Sequence, residues 1–142
     1  MAAFVKFNSF IDEVSKGSHN LQTCVYKAAL TNTAPNPASD TVWSAAVYPP
    51  PAAANGYTAG GNTPAVTSAV TTAGTFAAVL ADTVFTAAAG GIGPFRYVIL
   101  YNSSAANKVI GFYDAGASVT LPNAGDNFTV DFDNVIGAFT LS

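Results

Sequence analysis

The chain has 142 residues, half of them hydrophobic, and five Lys or Arg against eight Asp or Glu leave a net charge of −3. Charged residues make up only 9%, against about 25% in an ordinary soluble domain, which excludes a disordered chain, since disorder goes with much charge and little apolar content. The basic residues Lys6, Lys16, Lys27, Arg96 and Lys108 are scattered, so no cluster exists to neutralise several phosphates and nucleic acid is not an expected partner.

The length suits a single domain, 1–142, with one core. Residues 3–16 read as a short α-helix, because Phe4, Phe7, Phe10, Ile11 and Val14 recur at spacings of three and four and share one face. Gly17 follows as a stop. Such a helix either docks on its own core or serves as an arm on a neighbouring subunit. In 21–31 the period becomes two, with Cys24, Tyr26, Ala28 and Leu30 on one strand face. Residues 31–39 are rich in turn formers. A short strand is expected at 41–47, around Trp43. Pro49, Pro50 and Pro51 then open an extended stretch, and 49–64 read as an ordered surface loop.

From Ala65 the chain repeats a theme of short strand and turn. Strands are expected near 65–71, 75–80, 82–88, 95–102, 107–114, 117–121, 127–133 and 136–141, where Thr, Val, Phe, Tyr and Ile dominate. Residues 89–94 read as a loop, and 102–107 and 122–126 as hairpin turns. The strand 95–102 is apolar on both faces and should be central. Together these make a mainly β chain, an antiparallel β-sandwich of jelly-roll or immunoglobulin-like character with one short N-terminal helix.

Few residues suggest chemistry. His19 is the single histidine, and no serine elbow accompanies it, so a structural role is expected. Cys24 is the single cysteine. It rules out an internal disulfide, fits a reducing cytosol, and on an apolar strand face behaves as a small hydrophobe. Asp126, Asp131 and Asp133 form the densest acidic group. Asp131 and Asp133 lie on the side of their strand opposite Phe128, Val130 and Phe132, as a solvated face would; a calcium or subunit-bridging site is the sharper reading. Gly90-Gly91-Ile92-Gly93 lacks the Lys-Ser/Thr ending and following helix of a phosphate loop. No catalytic, cofactor-binding or metal-binding residue is assigned, no cofactor is expected, and the chain is not read as an enzyme. Lys6, Asp12 and Glu13 occupy the place of a signal peptide's apolar region, and no apolar run approaches the length of about 18 residues that spans a membrane.

Several strings resemble a group of small proteins of tailed bacteriophages. They are Lys6-Phe7-Asn8-Ser9-Phe10, Ala29-Leu30-Thr31-Asn32-Thr33-Ala34-Pro35-Asn36, the run from Asn55 to Thr63, Gly93-Pro94-Phe95-Arg96-Tyr97, and Phe128-Thr129-Val130-Asp131-Phe132. The resemblance implies a virion structural protein, with a capsid decoration (cement) protein first. Such a protein would be made in the bacterial cytoplasm, bind the major capsid protein or other virion proteins, and form a homo-oligomer, a trimer in the simplest arrangement. The alternative is a tail, neck or fibre component, with an exposed loop such as 55–63, and Tyr57 in it, touching a host-surface glycan. The resemblance carries no active-site residue with it.

Overall fold

The computed structural model describes residues 3–142. Among them nine strands and one α-helix follow in the order β1 (Val5–Lys6), α1 (Asn8–Ser15), β2 (Tyr26–Thr31), β3 (Val66–Thr72), β4 (Thr75–Leu80), β5 (Thr83–Thr86), β6 (Ile92–Asn102), β7 (Lys108–Leu121), β8 (Asn127–Val130) and β9 (Phe139–Leu141), with a single 3-10 turn at Ser103–Ala105 between β6 and β7. Strands pair as β1-β7-β6-β2, β3-β4-β9 and β5-β8, and every pairing is antiparallel. The expected mainly β architecture of packed antiparallel sheets with one short helix is what the chain forms.

The helix is shorter than the 3–16 read from periodicity. Phe7 is extended at φ −74° and ψ 144°, and its N–H donates to Ile110 O at 3.1 Å. Val5 and Lys6 pair with Phe112 and Gly111. Pairing with β7 satisfies backbone groups that a longer helix would leave to its own first turn. The spacing of Phe4, Phe7 and Phe10 serves a strand-then-helix equally well. Phe7 and Phe10 are fully buried, but Ile11 is 49% exposed, so the apolar face is narrower than the pattern suggests. The helix docks on its own core: Phe7 meets Phe112 at 5.5 Å and Phe10 meets Phe139 at 5.4 Å.

Strand β6 is central, as expected, with Val98, Ile99, Leu100 and Tyr101 all buried between β7 and β2. It starts at Ile92, inside the expected loop 89–94. There Gly93 lets the two backbones close in, since a Cβ would lie 2.9 Å from Val119 O. Expected strands 107–114 and 117–121 are one strand, β7, which bulges against β6 between Phe95 and Tyr97. The 102–107 turn is a true hairpin, in which Asn102 Oδ1 accepts from Ser104 N at 2.9 Å. The 122–126 turn is not. Asp126 Oδ2 accepts from Asn123 N at 2.9 Å, but the chain then crosses to pair β8 with β5.

The expected strand 41–47 is absent. Val42 makes one isolated bridge to Lys108, and the chain then turns, with Tyr48 N donating to Ser44 O at 2.8 Å. Trp43 instead stacks on Tyr101, with ring centroids 4.7 Å apart and planes 4° from parallel. Strands 127–133 and 136–141 shorten to β8 and β9, because residues 134–136 form a turn. No helix among the described residues is long and apolar enough to cross a membrane.

Candidate interaction surface

His19 and Cys24, singled out for chemistry, are built into the fold. His19 Nδ1 lies 3.0 Å from Asn102 Nδ2. Because Asn102 Oδ1 accepts from Ser104 N, the amide presents its N–H₂ to His19, and the imidazole accepts at Nδ1 and carries its proton on Nε2. Its ring sits edge-on to Phe10 at 5.2 Å. Ser18, the nearest hydroxyl in sequence, donates to Glu13 rather than engaging His19. Cys24 is buried, and burial pushes its thiol pKa up, so it stays protonated.

Burial also lowers the His19 pKa below its ordinary 6.5, with Glu13 opposing and Lys108 adding to the shift. As pH falls through about 6.5 the unfolded chain takes up a proton that the folded chain still refuses, so the unfolded state gains stability there. The fold is therefore expected to lose stability between pH 7 and pH 5. His19→Gln should flatten this limb in a series of urea midpoints. The carboxylates of Asp114 and Asp133 are held below their ordinary 3.8, the first by the Arg96 guanidinium and the second by backbone N–H donors. Their contribution is lost at lower pH, and the His19 variant should leave that acid limb unchanged.

The acidic group divides between the turn after β7 and the segment that follows β8. Asp126 closes the turn after β7. Asp131 and Asp133 are exposed on either side of buried Phe132, which is the solvated alternation expected of them. Among the described residues no three His, Cys, Asp or Glu come together as a metal site. Tyr57 is not an exposed aromatic. It is 4% exposed, accepts from Leu30 N at 3.1 Å and stacks on Phe85 at 5.9 Å. The loop 55–63 thus loses the ring that would have met a glycan.

Three ion pairs among the described residues take up three of the five basic side chains. Arg96 grips Asp114 through two bonds of 2.7 and 2.9 Å, Lys108 pairs with Glu13 at 3.1 Å and Lys16 with Asp12. Lys6 Nζ donates to Thr140 O at 2.9 Å. Apolar side chains stand outside instead. Val135 is 84% exposed and Ile136 64% exposed. Asp133 Oδ1 accepts from Val135 N at 2.8 Å and Ile136 N at 2.7 Å, fixing the turn that presents them. Beside it lies a shallow hollow of about 200 Å³ walled by Phe4, Lys6 and residues 136–140. A pre-ordered apolar turn beside a hollow loses little entropy on binding. The sequence signal was available: Val135-Ile136 sit between Asn134 and Gly137, where a turn ordinarily carries polar residues.

Comparison with protein-family models, curated proteins and solved structures found no match to the chain.

Proposed function

We propose that this chain is a structural protein of a tailed-phage virion, a capsid decoration protein that binds the shell and its own copies, arranged as trimers about local three-fold axes. The observation that carries the reading is the apolar turn Val135–Ile136, held rigid by Asp133 and left uncovered in the single chain. Contiguous apolar groups offered to water mark a surface meant for another protein. The low charge supports the same conclusion. A stable interface covers about 1,200–2,000 Å², and unpaired charge within it costs free energy. Here most basic side chains are already engaged within the chain. The resemblance of several strings to phage particle proteins supplies the setting. Binding, not catalysis, is the activity proposed, with no cofactor.

Quantitative mass spectrometry of purified virions tests the proposal. The chain is expected in numbers comparable to the major capsid protein. A handful of copies per particle would instead mark a tail or neck component. Replacing both Val135 and Ile136 with serine should change stability by no more than about 0.5 kcal/mol, as exposed substitutions do. The same double variant should lower occupancy on shells stripped of the wild-type chain.

A further inference from the structure

The sheet edges are not protected alike. Asn62 closes β2 through backbone bonds to Ala28 of 2.9 and 3.0 Å, and its side chain reaches Val84 O on β5 at 2.9 Å. Lys6 occupies Thr140 O on β9. Strand β1 has two residues, and β8 has four flanked by Asp126 and Asp131. Strand β3 has seven residues, Val66–Thr72, with no charge and no proline. It lies in the uncharged stretch from Thr41 to Ala81. Its one strand partner is β4, and among the described residues no backbone bond reaches it from elsewhere. Natural proteins blunt such edges with Lys, Pro or a covering loop; this one is left open.

Its backbone phase follows from the hairpin. Ala73 and Gly74 both have positive φ, 50° and 81°, the two-residue turn that makes Thr72 and Thr75 a hydrogen-bonded pair. Counting back through the regular register to Ser68 opposite Val79, Val70 and Ser68 also bond to β4. The N–H and C=O of Ala69 and Thr71 therefore point to the open edge. The bulge between Val66 and Ser68 ends this regular segment.

We infer that β3 is a self-pairing edge: two copies of the chain join β3 to β3, antiparallel about a two-fold axis at Val70, into one continuous β9-β4-β3-β3-β4-β9 sheet. In this register Ala69 of each copy exchanges bonds with Thr71 of the other, giving about four backbone hydrogen bonds. Val70, 53% exposed in the single chain, meets its own mate at a non-hydrogen-bonded position, where side chains approach most closely. Ser68 meets Thr72. No like charges face each other. A second copy is favoured over a foreign strand because the open segment matches itself in both hydrogen-bond phase and chemistry. Joining five residues of each copy, Ser68–Thr72, the contact is smaller than a stable interface of about 20–30 residues a side, so it strengthens where copies are already crowded. It is a two-fold contact, distinct from the proposed three-fold one, and goes beyond the virion reading without depending on it.

The purified full chain tests it. Under mild oxidation at high concentration, Val70→Cys should form a disulfide dimer about tenfold or more faster than Thr72→Cys. The Thr72 mates lie about 13 Å apart in this register, beyond disulfide reach. Buried Cys24 does not compete. Sedimentation of the wild type should show mass rising with concentration. Ala69→Pro, which removes an edge-facing N–H and no hairpin bond, should abolish the rise, as should Val70→Lys. Equal cross-linking at positions 70 and 72 would overturn the inference. So would wild-type sedimentation by both disrupting variants, or cross-linking of position 70 only to another protein in particles. The virion reading fails separately, by absence of the chain from particles.

Discussion

Replacing Phe139 with alanine is expected to destabilise the chain by about 3–5 kcal/mol, the range for removing a large aromatic from a packed core. Phe139 is 4% exposed and lies on β9, the shortest strand of its sheet. Its ring centroid is 6.0 Å from Phe4, 5.4 Å from Phe10, 6.1 Å from Tyr26 and 6.4 Å from Phe76. Those four rings come from the N-terminal segment, α1, β2 and β4. One side chain thus joins the helix, the four-stranded sheet and the three-stranded sheet. The cavity left by alanine cannot be filled by one neighbour, because each is anchored in a different element. Urea unfolding should show the loss as a lower midpoint, and Phe139→Leu should recover part of it. A double-mutant cycle with Phe10→Ala should give a coupling of about 0.5–1.5 kcal/mol, the added worth of an edge-to-face pair. A Phe139→Ala loss below about 1 kcal/mol would mean that β9 is peripheral to the core.

The second large effect is at Gly61. Its φ is +84°, and a Cβ there would lie 2.0 Å from Ala28 O and 2.6 Å from Ala28 C. Both obstacles are backbone of a buried strand, so no side chain can swing aside. Gly61→Ala should therefore lift the 55–64 loop off β2. The backbone bonds between Ala28 and Asn62 go with it, as does the seating of Tyr57 under Leu30 N. Backbone strain of about 1–3 kcal/mol and three lost hydrogen bonds at about 0.5–1.5 kcal/mol each sum to a loss of about 2.5–7.5 kcal/mol. Gly125→Ala is the control. Its φ is +90° but nothing lies within 4 Å of the added carbon, so only the left-handed penalty of about 1–2 kcal/mol applies. Thermal melts of the two variants side by side separate collision from conformation. The Gly61 variant should also scatter more light on standing, since an uncovered β2 edge is a template for further strands.

Strand content and the central place of β6 were legible because alternation and β-branched runs act locally. The turn at 102–107 was legible for the same reason, through its Asn and Ser residues, whereas the positive φ of Ala73 and Ala106 was not. The misreadings share a cause. Residues 3–6 and 41–47 are short apolar stretches whose conformation depends on which strand lies alongside. For Val5 and Lys6 that is β7, and for Trp43 it is the face of Tyr101. Tyr57 looked exposed because its neighbours are Gly, Asn and Thr, yet a loop drawn across a strand edge buries its aromatic inward.

Amino-acid order by itself determined the class of the molecule: many short apolar strands, one brief helix, sparse charge, and a single thiol and a single imidazole placed for packing. These follow from side-chain chemistry and from periods of two and three to four, which need no knowledge of distant residues. Tertiary structure decided which edges are covered and which apolar groups stay outside. Whether Asn62 meets Ala28, Lys6 meets Thr140, or none of the described residues bonds to the outer edge of β3 depends on contacts between residues far apart in the chain. No local pattern encodes such closures, because their free energy is gained only once the sheets have packed.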